Sequence, residues 1–287
     1  MDRKLPISVL IMAKNEAQAL PRCLSALSGF EDVIVVDSHS KDGTAQIAQD
    51  YGARAEQFSW NGKYPRKTQW ALDNLATKHD WVFLVDADEI IPQELITELR
   101  SLDFSCAGYF VRGLYLWQGK PLQHGLQNNK LCLFDKTRMT YPEIDDLDLT
   151  GGWEMEMHYQ PVLKNGGAGE KTGQLRTPLF HDACQDKQSW LDKHKFYAAW
   201  EAGMILREGF PEDPSKTREL MKKFFRRMKL RSVIAFLHSY VFKRGFLDGA
   251  AGLDFALCRA RYYQMVAAAL SSMKKQNAQS SSEMASI

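Results

Sequence analysis

The chain has 287 residues, of which 45% are hydrophobic and 25% are charged, and its formal net charge at pH 7 is +2. These are the proportions of an ordinary globular protein, and a core of this size folds without disulfides. The cysteines exclude a disulfide framework and a zinc site, because they are scattered, odd in number and form no CxxC pair. A reducing compartment is the simplest interpretation. We expect no secretory signal, since the first residues lead directly into a strand-like run.

The first hundred residues alternate between strand-like and helix-like patterns. Runs that are apolar at all or nearly all positions predict strands covered on both faces, at residues 7–12, 33–36 and 81–85. Helical patterns fill the intervals, at residues 17–27, 44–51 and 67–76. Such alternation predicts βαβ units and a doubly wound α/β sheet.

From about Cys106 the pattern becomes that of a mixed sheet followed by helices. The predicted strands are residues 108–117, 130–134 and 157–163, and the predicted helices are 187–208, 215–229 and 246–270, with a break near Gly252. The tail from Lys274 has the composition of a disordered segment. We therefore divide the chain into a sheet domain over residues 1–185, a helical extension over 186–273 and a disordered tail over 274–287.

A strongly basic segment runs from Lys216 to Arg231, where half of the positions are Lys or Arg and Glu219 is the only acid. Nucleic acid, an anionic membrane surface or a solvated helix face can each explain such a segment. No recognised nucleic-acid module accompanies it, which disfavours nucleic acid. The apolar run at 232–240 is interrupted by charges before twenty residues accumulate, so it is too short to span a bilayer. A segment lying on a membrane surface, basic on one side, remains open.

The acidic motif Asp86-Ala87-Asp88 directly follows the third apolar run. Residues two apart on extended backbone point to the same side, so both carboxylates can face one ion. Oxygen ligands suit Mg²⁺ or Mn²⁺, and ligands bind beyond the carboxyl ends of strands in open α/β sheets. A second motif, Asp146-Leu147-Asp148, has no strand before it, so the context favours the first. The alternative for the first motif is a solvated acidic turn.

Two further polar clusters follow the first two predicted strands. Lys14-Asn15-Glu16 follows the first, and the turn that begins at Asp37 follows the second. A carboxylate at Asp37 can accept hydrogen bonds from a base or ribose, and Gly43 allows backbone amides to approach a ligand. The alternative is a plain strand-turn-helix connection. Together with the acidic motif, the clusters converge on one rim of the predicted sheet.

The order of these motifs resembles that of family 2 glycosyltransferases, and it is most similar to the bacterial branch that includes lipopolysaccharide-core β-glucosyltransferases. The resemblance rests on residues 7–16, 35–44 and 81–89, on Arg66-Lys67 before the acidic strand, and on residues 178–181 and 245–249. It implies a GT-A fold, which is Rossmann-like with a mostly parallel central sheet, and here a C-terminal helical extension. Residues 1–104 would form the nucleotide-binding half and 105–185 the acceptor half.

The resemblance also implies an inverting, metal-dependent transfer from a nucleotide-diphosphate sugar, most simply a UDP-sugar, with Mn²⁺ or Mg²⁺. The acceptor would be a lipid-linked saccharide, lipopolysaccharide or exopolysaccharide, at the cytoplasmic face of the inner membrane. The residues that would line the nucleotide-sugar site are Ala13, Asn15, Glu16, Asp37, Lys67 and Asp86. The metal ligands would be Asp86, Asp88 and His181, although a lone histidine also fits a structural role.

An inverting enzyme needs a base that deprotonates the acceptor hydroxyl. We choose Glu156 first and Asp146 second, with acids on a solvated loop as the alternative for each. Related enzymes often read His-Glu where this chain has His158-Tyr159. Trp117 and Trp153 can stack on sugar faces or simply pack.

Two other functions stay open from the residues alone. A sugar nucleotidyltransferase shares the fold type and the need for a metal, but it would carry a Gly-rich, basic loop after the first strand. A non-catalytic carbohydrate- or membrane-binding protein on the same scaffold is favoured by the missing His-Glu pair and disfavoured by the intact acidic motif.

Overall fold

The computed structural model of the protein describes residues 3–149, 151, 153–156, 159–167, 169–184, 187–213 and 215–284. The chain forms two compact units. The first unit consists of Met1–Tyr115, Gln127–Glu143 and Glu154–Ala183, and the second consists of Leu116–Leu126, Ile144–Trp153 and Cys184–Ile287. The second unit therefore comprises the chain from Cys184 onward together with two short earlier segments, and the domain bounds predicted from the sequence stay a prediction.

The strands, in chain order, are β1 (Leu5–Ala13), β2 (Phe30–Asp37), β3 (Arg54–Gln57), β4 (Trp81–Asp86), β5 (Glu89–Ile90), β6 (Gly108–Trp117), β7 (Lys120–Pro121), β8 (Asn128–Asp135), β9 (Met139–Thr140), β10 (Val162–Leu163), β11 (Thr172–Gln174) and β12 (Leu179–Cys184). The helices are α1 (Leu20–Ser25), α2 (Thr44–Asp50), α3 (Lys67–Asn74), α4 (Gln93–Arg100), α5 (Lys187–Arg207), α6 (Lys216–Arg227), α7 (Arg231–Leu237) and α8 (Gly249–Met284).

The main sheet has the order β3-β2-β1-β4-β8-β6-β12-β5. Its first four strands are parallel, whereas β8 is antiparallel to both β4 and β6. In this register Ala13 lies opposite Asp37, and Met12 lies opposite Asp86. The carboxyl ends of β1, β2 and β4 therefore meet at one edge of the sheet. The predicted α/β fold with a mostly parallel central sheet is confirmed.

Strand β1 is buried on both of its faces, which explains its nearly continuous apolar run. Ile7, Val9 and Ile11 belong to a core shared with α1 and α4, while Leu10 and Met12 belong to a core shared with α3. Because helices cover both faces, alternate side chains are buried in opposite directions. Burying each such side chain contributes about 1.5–3 kcal/mol.

From Lys187 onward the second unit is helical, as predicted, but its details differ from the sequence prediction. Helix α7 was not predicted, and α8 runs without a break from Gly249 through Gly252 to Met284. A Cβ at Gly252 would collide with the carbonyl oxygen of Gly245, so glycine at this position permits close packing of a turn and does not end the helix. The helix also continues over residues 274–284, where we predicted disorder; alanine, lysine and glutamine there are good helix formers.

Two predictions in the first unit also differ from the structure. Helix α1 is shorter than the predicted 17–27. It begins at Leu20, with Pro21 in the first turn, where proline is tolerated, and it ends at Ser25. The predicted strand at 157–163 is reduced to Val162–Leu163, and residues 157 and 158 lie outside the described residues.

None of the helices in the described part of the chain combines the length and the apolar character that crossing a membrane requires.

Candidate active site

The loops that follow β1 and β2 are joined to each other by hydrogen bonds. Asn15 N donates to Ser40 Oγ at 2.7 Å, and Asn15 Oδ1 accepts from Lys41 N at 3.0 Å. Glu16 N donates to Thr44 Oγ1 at 2.9 Å. Asn15 has a positive φ of 57°, a conformation that asparagine tolerates better than most residues. The predicted nucleotide-binding residues Asn15 and Glu16 thus lie in loops that hydrogen bonds hold together, at the carboxyl ends of the parallel strands.

Asp37, the last residue of β2, is buried, and its carboxylate accepts hydrogen bonds from the turn that follows it and from β3. It accepts hydrogen bonds from Ser40 N at 3.0 Å, from Gln57 Nε2 at 3.1 Å and, at short range, from Ser40 Oγ. These contacts match the plain strand-turn-helix interpretation of the segment. A role for Asp37 in holding a nucleoside stays a prediction.

Lys67, the first residue of α3, is fully buried and its ammonium group points to the same edge of the sheet. Its Nζ donates to the carbonyl oxygen of Ala13 at 2.6 Å and lies 3.7 Å from Glu154 Oε1. Burial lowers the pKa of Lys67 to about 8, although Glu154 and Asp37 oppose the shift. Two of the predicted site residues, Ala13 and Lys67, are therefore in direct contact, with a cation held close to the end of β1.

The three predicted metal ligands lie together. Asp86 ends β4, Asp88 follows it, and His181 on β12 pairs in register with Glu89 on β5. Two carboxylate oxygens and one ring nitrogen from Asp86, Asp88 and His181 lie within 4.8 Å of one another. His181 Nε2 is 3.4 Å from Asp88 Oδ2, and Asp182 N donates to the carbonyl oxygen of Asp88 at 2.9 Å. The pairing of β12 with β5 thus delivers the histidine to the acidic motif.

The chemistry of this cluster fits a hard divalent cation. Carboxylates suit Mg²⁺ and Mn²⁺, and an imidazole nitrogen is a ligand that transition metals accept. His181 Nδ1 is buried and makes no hydrogen bond within the described part of the chain. Burial alone would lower the pKa of His181, but the carboxylates of Asp88 and Glu89 outweigh it and raise that pKa. The cluster therefore has an excess of negative charge that a divalent cation would balance.

Glu156, our first choice for the base, caps helix α3. Its carboxylate accepts from the backbone N–H groups of Thr68 at 2.9 Å and Gln69 at 2.8 Å. Burial raises the pKa of Glu156, while these hydrogen bonds oppose the shift. N–H groups at a helix start have no partner within the helix, so this contact has a structural explanation. A catalytic role for Glu156 stays a prediction, and His158 lies outside the described residues.

Asp146, the second choice for the base, lies in the second unit. It is fully buried and accepts from the indole N–H of Trp200 at 2.9 Å. Trp117 is also buried, and its indole N–H donates to Asp254 Oδ2 at 3.0 Å. Trp153 packs on Phe196 with ring centroids 5.2 Å apart. Within this unit, the predicted base and the predicted sugar-stacking residues contact other side chains of the same unit.

Three residues of the first unit that are not among the predicted site residues touch the predicted site, and of these only Glu154 had been weighed, as a base beside Glu156. Glu154 pairs with Lys67 through its side chain, and its carbonyl oxygen accepts from Lys67 N at 2.9 Å. Glu89 is fully buried behind Asp86, and Lys130 of β8 lies 2.6 Å from a carboxylate oxygen of each. The position of Glu89 next to the acidic motif was a usable signal. The approach of Lys130 depends on the register between β4 and β8, which no local pattern reveals.

Comparisons with known proteins agree with this geometry. Residues 8–144 match the model of the family described as Glycosyl transferase family 2. An uncharacterized glycosyltransferase of Rickettsia bellii (strain RML369-C) is 37% identical over 242 residues, which cover 80% of this chain and 78% of that protein. The chain therefore belongs to glycosyltransferase family 2, and it is a glycosyltransferase.

One further relative and one solved structure add to the comparison. The lipopolysaccharide core biosynthesis glycosyltransferase LpsC of Rhizobium meliloti (strain 1021) is 34% identical over 119 residues, which cover 39% of this chain but only 43% of LpsC. The mannosyltransferase PcManGT of Pyrobaculum calidifontis, solved in complex with GDP-Man and Mn²⁺, superposes with a TM-score of 0.52 at 12% identity, over 93% of this chain and 87% of that chain. At that identity the likeness shows the fold alone, and the fold is GT-A.

Proposed function

We propose that this protein is an inverting, metal-dependent glycosyltransferase that moves a sugar from a UDP-sugar to a lipid-linked saccharide, a lipopolysaccharide or an exopolysaccharide. The observation that carries the proposal is the cluster of Asp86, Asp88 and His181 at the carboxyl end of β4. Membership of family 2 supports the transfer chemistry, and the similarity to LpsC supports the acceptor class.

On the donor side, the chain's own groups would stabilise the leaving diphosphate. Asp86, Asp88 and His181 would hold Mn²⁺ or Mg²⁺, which when bound supplies positive charge at the diphosphate oxygens. Lys67 adds a second cation, held in a fixed position by the carbonyl oxygen of Ala13. Because this ammonium is buried, its field is screened less than that of a surface lysine. Charge that is preorganised in this way favours the transition state over the ground state.

On the acceptor side, a carboxylate would take the proton from the attacking hydroxyl. Glu156 and Asp146 are the two candidates, and each already makes hydrogen bonds with a structural explanation. Raised pKa values are typical of groups that exchange protons near neutral pH, and burial raises the pKa of Glu156. We therefore keep Glu156 as the first choice, and mutation of each residue is the test.

The test of the proposed function is nucleotide release from a panel of UDP-, GDP- and ADP-sugars with lipopolysaccharide and lipid-extract acceptors. It is run with Mn²⁺, Mg²⁺ or EDTA, for the wild-type protein and Asp88→Ala. We expect turnover of one donor that disappears with EDTA and in the variant. Unchanged turnover in Asp88→Ala would overturn the metal assignment. Absence of both turnover and metal-dependent nucleotide binding would favour a non-catalytic carbohydrate-binding protein.

We also propose that the enzyme meets its acceptor as a peripheral protein at the cytoplasmic face of the inner membrane. All but one of the large hydrophobic side chains that are exposed in the described part of the chain lie between residues 220 and 257; the exception is Tyr51. On α6, exposed Leu220, Met221 and Phe224 are interspersed with lysines and arginines. Phe242 is 76% exposed and adjoins Lys243 and Arg244. Apolar side chains flanked by cations suit an anionic bilayer surface.

Liposome flotation tests this surface. We expect the protein to float with vesicles containing anionic phospholipid and much less with neutral vesicles, and high salt should weaken the binding. The double change Leu220→Ser and Phe224→Ser should reduce flotation, whereas Tyr51→Ser, at an exposed aromatic position in the first unit, should not. Equal and poor flotation with both vesicle types would overturn the proposal without affecting the assignment of the reaction.

A further inference from the structure

Lys130 links the predicted metal ligand Asp86 to a carboxylate that is outside the ligand cluster. Its Nζ lies 2.6 Å from Asp86 Oδ2 and 2.6 Å from Glu89 Oε1. Glu89 Oε2 in turn accepts from the backbone N–H of Asp86 at 2.9 Å. A single ammonium group is therefore shared between the carboxylate that would bind a cation and a second carboxylate behind it.

The two carboxylates differ sharply in their access to solvent. The side chain of Asp86 is 44% exposed, whereas that of Glu89 is 0% exposed. An ionised carboxylate that is fully buried needs a paired cation, because removing one partner leaves an uncompensated buried charge. Glu89 therefore holds Lys130 in place strongly, while the contact between Lys130 and the half-exposed Asp86 costs less to give up.

We propose that Lys130 is an internal counter-ion that competes with the divalent cation for Asp86, and that Glu89 is the buried anchor that keeps the ammonium in place when the cation binds. Lys130 and Glu89 are positioning residues, since neither belongs to the ligand cluster. The inference rests on the proposed metal site and adds a control of its affinity.

Competition of this kind makes the binding of the cation and of the nucleotide cooperative. A like charge near a cation site weakens binding of the free ion, because the two charges repel and share one ligand oxygen. A bound diphosphate brings negative charge and oxygen ligands, and Mg²⁺ and Mn²⁺ sites commonly combine one or two carboxylates with substrate phosphates. The protein should therefore bind the ion weakly alone and much more tightly in the presence of UDP.

The experiment measures binding of Mn²⁺ alone, by the loss of the electron paramagnetic resonance signal of the free ion. We expect Lys130→Met to bind Mn²⁺ about tenfold or more tightly than the wild-type protein. Arg22→Met is the matched control, because Arg22 is a cation of the same unit whose ion pair, at 3.4 Å, is with Asp182, next to His181. We expect this control to remain within twofold of wild type. Equal or weaker binding by Lys130→Met that has the circular dichroism spectrum of the wild-type protein would overturn the inference.

Lys130→Met leaves Glu89 buried without its cation and can therefore misfold. A second variant tests the inference without leaving this unpaired charge. The double change Glu89→Gln and Lys130→Met keeps the net charge and still removes the ammonium from Asp86. It should also bind Mn²⁺ more tightly than wild type, and weaker binding would mean that Lys130 merely orients Asp86. If Asp88→Ala abolishes binding while both Lys130 variants show no gain, only the counter-ion inference fails. If the wild-type protein binds no Mn²⁺ with or without UDP, the metal site itself fails.

Discussion

The two Asp-x-Asp segments have identical spacing but lie in different units and have different partners. Asp86 ends the strand β4 and Asp88 follows it, and the fold brings His181 and Lys130 to them. The segment 146–148 instead runs into a 3₁₀ turn. Its acids bond to α5, as Asp146 accepts from Trp200 and Asp148 pairs with Arg207. The comparison teaches that the spacing supplies two carboxylates in each segment. The elements that pack around them decide whether those carboxylates can face an ion or instead bond to a neighbouring helix.

The largest expected difference between the segments is in turnover. Asp88→Ala should lower kcat by about 100-fold or more, since it removes a proposed ligand of the ion that would stabilise the leaving group. Asp148→Ala removes an ion pair with Arg207 in which the Asp148 side chain is exposed, and such surface pairs contribute about 1 kcal/mol or less to stability. It should leave kcat within about threefold of wild type. Steady-state kinetics of the two variants, side by side, check the comparison, and similar losses would contradict it.

The next largest effect concerns stability in the second unit. Asp146→Ala leaves the buried indole N–H of Trp200 without its acceptor, and it should lower the free energy of unfolding by about 1–3 kcal/mol. Denaturant titration measures this loss. Asp145→Ala is the control, because the side chain of Asp145 is 93% exposed. A large fall in kcat with unchanged stability would instead support Asp146 as the base.

A smaller loss of stability is expected in the first unit. Glu156→Gln weakens the contact with the first turn of α3 and should lower the free energy of unfolding by about 0.5–2 kcal/mol. The exposed Glu143→Gln should have no measurable effect on stability. Thermal unfolding and kcat are measured together on both variants. If Glu156 is the base, kcat will fall far more than the lost stability explains.

The smallest effect is a pH dependence of nucleotide binding. Because burial lowers the pKa of Lys67 to about 8, its positive charge is lost as the pH rises through that value. The affinity for UDP should therefore fall a few-fold between pH 7 and pH 9. In Lys67→Met the affinity should be lower and independent of pH over the same range. Calorimetric titration at the two pH values checks this, and a wild-type affinity that does not change would contradict it.

The first hundred residues illustrate what local patterns can predict. The three apolar runs at 7–12, 33–36 and 81–85 lie inside β1, β2 and β4. Strands of a parallel sheet are buried on both faces, so their sequence signal is continuous and does not depend on distant residues. The predicted order of strands and helices followed from that signal. The motifs at the strand ends are also local in sequence, and they are sufficient to indicate the family.

The candidate site shows where local patterns end. Whether Asp86 has a cation as its neighbour depends on Lys130, which arrives through the antiparallel pairing of β4 with β8. Glu154 and Glu156 are two positions apart in an irregular segment, yet one contacts Lys67 and the other caps α3. Neither difference has a signal in composition or periodicity. Both depend on where the chain returns to the sheet edge.

The sequence by itself determined the alternation of strands and helices, the acidic motif after β4 and the family to which the chain belongs. These features are local, because burial on both faces and turn chemistry act over a few residues. The tertiary structure alone decided which acids meet His181, which one shares an ammonium with a buried neighbour, and which ones hold helices in place. Those outcomes depend on strand register and long-range packing, where the free energy of a charged side chain is set by the partners that the fold brings to it.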